Sequence, residues 1–132
     1  MSAGQFSDER IDELKQRALA KVDEIASQLI EISDWMYENP ELGLQERGAV
    51  ERLTAMLERH GATVEREIAG LETAFRASFP TQFGEPTVAI LAEYDALPEV
   101  GHGCGHNIIA TAAIGAGIAV GAIAPELRGP GG

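Results

Sequence analysis

The stretch Leu91-Ala-Glu-Tyr-Asp-Ala-Leu-Pro98, followed closely by Gly101-His-Gly-Cys-Gly-His-Asn107, organises this sequence. It contains the only cysteine of the chain, two of its three histidines and a pair of carboxylates. The unbroken apolar run 87–92 leads into it and predicts a strand that is buried on both faces. The uncharged, Gly/Ala-rich segment 108–125 leads out of it and predicts a helix packed closely on a sheet through its glycines. We therefore expect acid, thiol and imidazole groups to meet where a strand ends and a helix begins.

The N-terminal half predicts two helices. Between Ser7 and Asn39, apolar residues recur at steps of three and four, with Ser7 as the N-cap and Asn39-Pro40 as the stop. The same spacing would fit a coiled-coil seam, but a helix lying across a sheet is the preferred interpretation. Residues 45–60 predict a second helix that ends near His60, a capping or surface histidine, and buries four apolar side chains: Val50, Leu53, Met56 and Leu57.

Two short strands, 62–67 and 73–79, are predicted next, and the second shows alternating polar and apolar residues. A turn-rich connector, 80–86, separates them from the apolar run. A long helix, a second helix, short β-strands and a buried Gly/Ala-rich helix in this order predict the α/β class, with a layered arrangement rather than a helix bundle.

Composition narrows the functional classes. The formal net charge of −11 argues against a nucleic-acid partner and against a basic helix lying on a membrane surface. A single cysteine cannot form an internal disulfide, and residues 1–8 show no signal peptide, so we expect a cytoplasmic protein. The apolar segment 108–125 could be a transmembrane span, but its alanine and glycine content and its one basic flank, Arg128, favour a buried helix.

The central stretch has the side chains of a metal site. Ligands in open α/β sheets gather beyond the carboxyl ends of the strands, where Glu93 and Asp95 are expected. Cys104 and His106, separated by Gly105, are donors that zinc accepts, and Asp95 could accept a hydrogen bond from the other nitrogen of the imidazole. Spacing alone is a weak signal, so a buried apolar cysteine and a nucleophilic or redox cysteine both stay open.

Three motifs together, Asn39-Pro-Glu-Leu-Gly43, Glu93-Tyr-Asp-Ala-Leu-Pro98 and 101–107, resemble the N-terminal part of the M20 metallopeptidase family. More narrowly, they are similar to its amidohydrolase branch, which includes aminoacylase-like proteins, aminobenzoyl-glutamate hydrolase subunits and M20-domain dipeptidases. Asn107, where some relatives have Asp, favours the last two groups. The resemblance extends from about Glu9 onward and implies a layered α/β catalytic domain that cleaves the amide bond of dipeptides or N-acyl amino acids.

The resemblance also implies roles for individual residues. Cys104 and His106 match metal ligands of a family that binds two divalent ions, with zinc as the expected metal and manganese as the alternative. Asp95 matches the acid that orients a ligand beside the metals, and it is the candidate catalytic residue of this chain. Glu93 stands where many relatives of this branch have Asp and where other M20 branches have a metal-binding His, and His102 lies in the loop before Cys104. Both are candidates for contacts with the metal ligands.

The family enzymes are several times longer than this chain, and their general base, further ligands and dimerising lid domain lie downstream of the Cys-Gly-His motif. We therefore expect 1–132 to be a partial catalytic domain with a flexible tail at 127–132 and negligible activity alone. The intact enzyme would be a homodimer acting on a small dipeptide or N-acyl amino acid. The alternative is a non-catalytic interaction or structural module, in which the Gly/Ala-rich helix packs on a partner chain.

Overall fold

The computed structural model describes residues 6–79 and 87–127. Within these ranges the chain forms three α-helices and a two-stranded sheet, which is mixed α/β content. The predicted connector 80–86, the first five residues and the tail beyond residue 127 lie outside the described residues. The elements are α1 (Asp8–Glu38), α2 (Arg47–Arg59), β1 (Thr63–Arg66), β2 (Phe75–Ser78) and α3 (His106–Ile123), with short 3-10 turns at Ile68–Gly70 and Ala124–Glu126.

Helix α1 confirms the predicted long helix. The Ser7 hydroxyl accepts the backbone N–H of Arg10 at 3.2 Å, which satisfies one of the donors left free at a helix start. Asn39 ends the helix immediately before Pro40. The apolar stripe turns inward, and its best buried members are Leu14, Ile25, Ile32 and Met36.

Helix α2 and the two short strands that follow it also match the prediction. All four expected side chains of α2 are buried, and His60 occupies its C-cap position. Gly61 follows with φ of +92°, a left-handed conformation that glycine adopts without a Cβ clash. Strands β1 and β2 then pair antiparallel in the register Thr63↔Ser78 to Arg66↔Phe75.

Helix α3 packs mainly on α1, and not on a sheet as predicted. Its glycines do permit close approach, because a Cβ at Gly115 would lie 2.8 Å from Leu29 of α1. Near the end of the helix, a Cβ at Gly121 would lie 2.4 Å from the ring of Phe79. The core formed by α1, α2 and α3 therefore depends on small residues along α3, where bulky side chains from the neighbouring elements fill the space.

By length and composition alone, the segment His106–Glu126 could cross a membrane, and it is the one such helix within the described residues. In this structure one face of the helix is buried in the hydrophobic core, since Ala110, Ile114 and Ile118 are at most 4% exposed.

The predicted strand at 87–92 is wrong for this structure. None of these residues joins a strand, and Val88 and Leu91 are 83% and 85% exposed. A strand buried on both faces needs neighbouring strands and covering layers, and among the described residues β1 and β2 pair only with each other. The layered sheet implied by the family resemblance stays a prediction.

Candidate functional site

The Asn-Pro-Glu-Leu-Gly turn supports the central stretch. The N–H of Ala96 donates to the carbonyl of Glu41 at 2.7 Å, and Leu42 and Ala96 form an isolated parallel bridge. Further along, Leu97 and Gly101 exchange two backbone hydrogen bonds of 2.9 Å, which closes the loop between the second and third motifs. The three motifs that are separate in sequence therefore form one connected backbone unit.

The side chain of Glu41 has a second role that the sequence analysis missed. Its Oε2 accepts the N–H of Gly48 at 2.9 Å, and its Oε1 accepts the N–H of Ala49 at 2.7 Å. These donors lie in the first turn of α2, where the N-cap residue Glu46 makes no side-chain cap of its own. The available signal was an acid in the turn before a helix that lacks a Ser, Thr, Asp or Asn cap.

The start of α3 presents the histidine. Gly105 adopts a left-handed conformation, with φ of +84°, and directly precedes His106, the first residue of the helix. One residue later, the amide of Asn107 donates to the Ser33 hydroxyl of α1 at 3.1 Å. The glycine therefore allows the sharp turn into the helix, and the asparagine attaches that turn to the long helix.

The imidazole of His106 lies between two carboxylates. Its Nδ1 is 2.8 Å from Asp95 Oδ1 and 3.1 Å from the Asp95 carbonyl, while its Nε2 is 3.1 Å from Glu93 Oε2. When Nδ1 carries the proton and donates to Asp95, Nε2 presents a lone pair toward the Glu93 carboxylate. A proton between Nε2 and the Glu93 carboxylate would form a hydrogen bond. A divalent cation could instead be bound by the same nitrogen and carboxylate oxygen.

The sequence-predicted ligands are brought together only in part. Glu93, Asp95 and His106 are in contact, whereas Cys104 is exposed. Within 6–79 and 87–127, no three His, Cys, Asp or Glu side chains are arranged as a metal site. The types of donor still fit zinc, because an imidazole oriented by a carboxylate and a thiol two residues away are both zinc ligands.

His102 is buried close to the same loop. It is 6% exposed, and its Nδ1 has no hydrogen-bond partner among the described residues. Burial, and then the charge of nearby His106, lowers the pKa of His102 below its ordinary value. The side chain is thus a buried neutral imidazole beside the site, and not a solvated one.

Tyr94, between the two carboxylates, faces the core. Its hydroxyl donates to the carbonyl of Thr73, and its ring stacks on Phe75 with centroids 5.7 Å apart. The Thr73 hydroxyl in turn donates to Glu46 Oε2 at 2.7 Å. Burial, and then the charge of Glu46, raises the pKa of Tyr94 to about 12. No motif of the sequence had indicated this set of contacts.

No family model matches the chain, but curated relatives do. It is 39% identical over 107 residues to a subunit of p-aminobenzoyl-glutamate hydrolase from Escherichia coli (strain K12), covering 68% of this chain and 22% of that protein. It is 36% identical over 135 residues to Xaa-Arg dipeptidase from Mus musculus, covering 96% of this chain and 31% of that protein. For Xaa-Arg dipeptidase from Homo sapiens the identity is 37% over 119 residues, covering 82% and 27%.

The chain spans less than a third of the length of these curated relatives, which are named as a hydrolase and a dipeptidase. Both kinds of relative are M20 proteins. Together with the three motifs, this similarity confirms the resemblance seen in the sequence: the chain belongs to the M20 family.

Proposed function

We propose that this chain supplies part of the metal site of an M20 amidohydrolase that cleaves the amide bond of dipeptides or N-acyl amino acids. The observation that supports it best is the 2.8 Å hydrogen bond between His106 Nδ1 and Asp95 Oδ1. When Nδ1 donates its proton in this bond, the lone pair of Nε2, 3.1 Å from Glu93 Oε2, can bind a metal. The reaction class comes from the names of the relatives, a hydrolase and a dipeptidase.

In this proposal, Cys104 and His106 hold a zinc ion, with manganese as the alternative metal. A bound divalent ion would polarise the substrate carbonyl and lower the pKa of a bound water. Asp95 accepts the Nδ1 proton of His106, which fixes the tautomer and makes Nε2 a better donor. Glu93 keeps a second carboxylate 3.1 Å from Nε2, and its negative charge favours a cation at that point.

The whole enzyme would be a cytoplasmic homodimer that acts on a small-molecule substrate. Its second ion, general base and remaining ligands would come from residues other than those of this chain, because Cys104, His106 and the carboxylates provide only part of a coordination shell. Purified residues 1–132 should therefore bind metal weakly and show negligible hydrolysis. Substantial metal-dependent cleavage of a dipeptide by this chain would contradict that expectation.

Zinc titration by calorimetry tests the metal site directly. Cys104→Ser and His106→Ala should each weaken zinc binding by at least about tenfold, since each removes a ligand. His60→Ala is the matched control, because His60 lies at the C-cap of α2 and its backbone N–H bonds to carbonyls of that helix. Equal stoichiometry and affinity in all four proteins would refute the proposed site.

The second candidate, an interaction module, is favoured by exposed apolar side chains on α3. Ile108 and Val120 are 63% and 48% exposed, on a helix that otherwise packs on α1. In this alternative, the Gly/Ala-rich helix packs on a partner chain and the cysteine has no metal. Zinc binding that is insensitive to Cys104→Ser and His106→Ala would support it over the first candidate.

A further inference from the structure

We propose that Tyr94 is the positioning residue for the carboxylate pair of the site, acting through its contacts with Thr73 and Phe75. The inference rests on the proposed function for the role of the pair, and on the geometry of the chain for the positioning itself. It goes beyond the metal ligands, because Tyr94 touches neither His106 nor Cys104 in any hydrogen bond of the described residues.

The first step is the placement of Tyr94 in the chain. It stands between Glu93 and Asp95, and both of these neighbours reach the ring of His106. Residues 87–95 belong to no helix or strand, so no regular backbone ladder holds the carboxylates in place. Among the described residues, the first backbone–backbone hydrogen bond of this stretch joins the Ala96 N–H to the Glu41 carbonyl, after the pair. Besides the contacts of the carboxylates and of the Asp95 carbonyl with His106 itself, the side chain of Tyr94 attaches this segment to the core.

The second step is the strength of its attachment. Tyr94 packs against the hydrophobic core, and its ring stacks on Phe75 of β2 with an interplanar angle of 25°. Its hydroxyl donates to the Thr73 carbonyl just before that strand. A ring held by stacking on one face and by a hydrogen bond at its tip has little freedom to rotate.

The third step is what Tyr94 is attached to. Thr73 is 4% exposed, and its hydroxyl donates to Glu46, which is 5% exposed and directly precedes α2. The carboxylates of Glu46 and Asp95 both lie near Gly43, since a Cβ there would be 3.8 Å from Glu46 Oε1 and 4.0 Å from Asp95 Oδ2. The attachment therefore leads from the carboxylate pair to the sheet and to the start of α2, both of which pack against the core.

The consequence is that the geometry between Asp95 and His106 depends on a hydroxyl that contacts neither. With the hydroxyl removed, the chain around residue 94 can turn, and Asp95 then spends less time within hydrogen-bonding distance of Nδ1. Loss of one hydrogen bond of ordinary strength corresponds to about a threefold to tenfold change in such an equilibrium.

The test is the Nδ1 proton of His106, followed by NMR in ¹⁵N-labelled protein without added metal. Tyr94→Phe keeps the ring and removes only the hydroxyl, and Tyr37→Phe is the matched control because Tyr37 is 66% exposed. We expect the His106 Nδ1 proton to exchange with water about threefold to tenfold faster in Tyr94→Phe, and to be unchanged in Tyr37→Phe. A merely structural role would lower the melting temperature without changing this signal in the folded protein.

Phe75→Leu provides a second variant that loosens the stacking and keeps the hydroxyl, and it should change the same signal in the same direction. An unchanged Nδ1 signal in both Tyr94→Phe and Phe75→Leu would overturn the inference. If zinc binding still depends on Cys104 and His106 in that case, only the positioning role has failed. If zinc binding is insensitive to those ligands while Tyr94→Phe does change the Nδ1 signal, the proposed function has failed and the positioning role stands.

Discussion

Replacing Glu41 with alanine should destabilise the chain by about 2–3 kcal/mol, because its carboxylate caps α2 from outside the helix. The two N–H groups that it accepts, at 2.9 and 2.7 Å, have no carbonyl partner within the helix. Loss of an N-cap costs about 0.5–2 kcal/mol, and loss of a negative charge at the helix start adds about 0.3–1 kcal/mol. The partly buried position of both bonds favours the upper part of this range.

The backbone of Glu41 keeps its own role in the variant, since the Ala96 N–H bonds to its carbonyl and not to its side chain. Glu41→Gln retains an acceptor oxygen but loses the charge, so it should cost about half as much as Glu41→Ala.

Urea unfolding followed by circular dichroism measures the effect. The midpoint should fall in Glu41→Ala with an unchanged slope, because the surface exposed on unfolding stays the same. Glu51→Ala is the matched control, an exposed acid on α2 itself, and should change stability by less than about 0.5 kcal/mol. Equal midpoints for Glu41→Ala and Glu51→Ala would refute the capping role.

Two further predictions concern packing and pH. Gly121→Ala should lower the melting temperature, at a cost of about 1–3 kcal/mol, because its Cβ would lie 2.4 Å from the Phe79 ring. Gly117→Ala, whose Cβ would lie 3.7 Å from the same ring, should raise the melting temperature, because the helix-propensity gain stabilises the fold by about 1 kcal/mol. Equal effects of the two substitutions in thermal unfolding would contradict this account. Burial, and then the charge of Lys21, lowers the pKa of His60 below its ordinary value of 6.5. The unfolded chain therefore binds the proton more readily than the folded chain. The stability contributed by the neutral ring is lost as the pH falls below 6.5. His60→Gln should therefore lose less stability than the parent chain in urea titrations between about pH 7 and about pH 5, and identical losses would contradict the shift.

The local elements could be predicted because their signals are local. Apolar spacing, the Ser7 cap and the Asn39-Pro40 stop predicted α1, and the buried side chains of α2 followed from the same periodicity. The predicted end of α2 near His60 also has a local cause, because Gly61 next to it adopts a left-handed φ of +92°. Each of these features depends on residues within a few turns of each other.

The partners of the apolar segments could not be predicted in the same way. The run 87–92 has the composition of a buried strand, yet no described strand pairs with it and Leu91 is 85% exposed. Helix α3 packs on α1 through Gly115, and not on the expected sheet. Hydrophobic periodicity indicates that one face of an element is buried, but it does not indicate which element covers that face, because the hydrophobic effect is non-directional.

The same division holds for the site. The residue types and motifs of the sequence identified the M20 family and singled out Asp95 and His106, whose contact the structure shows at 2.8 Å; the metal roles of Cys104 and His106 stay predictions. Only the tertiary structure connected Glu41 to α2, buried His102, and tied Tyr94 to Thr73. These contacts join residues far apart in the chain, and hydrogen bonds of that kind depend on distances and angles that form only when helices, hairpin and loop pack together.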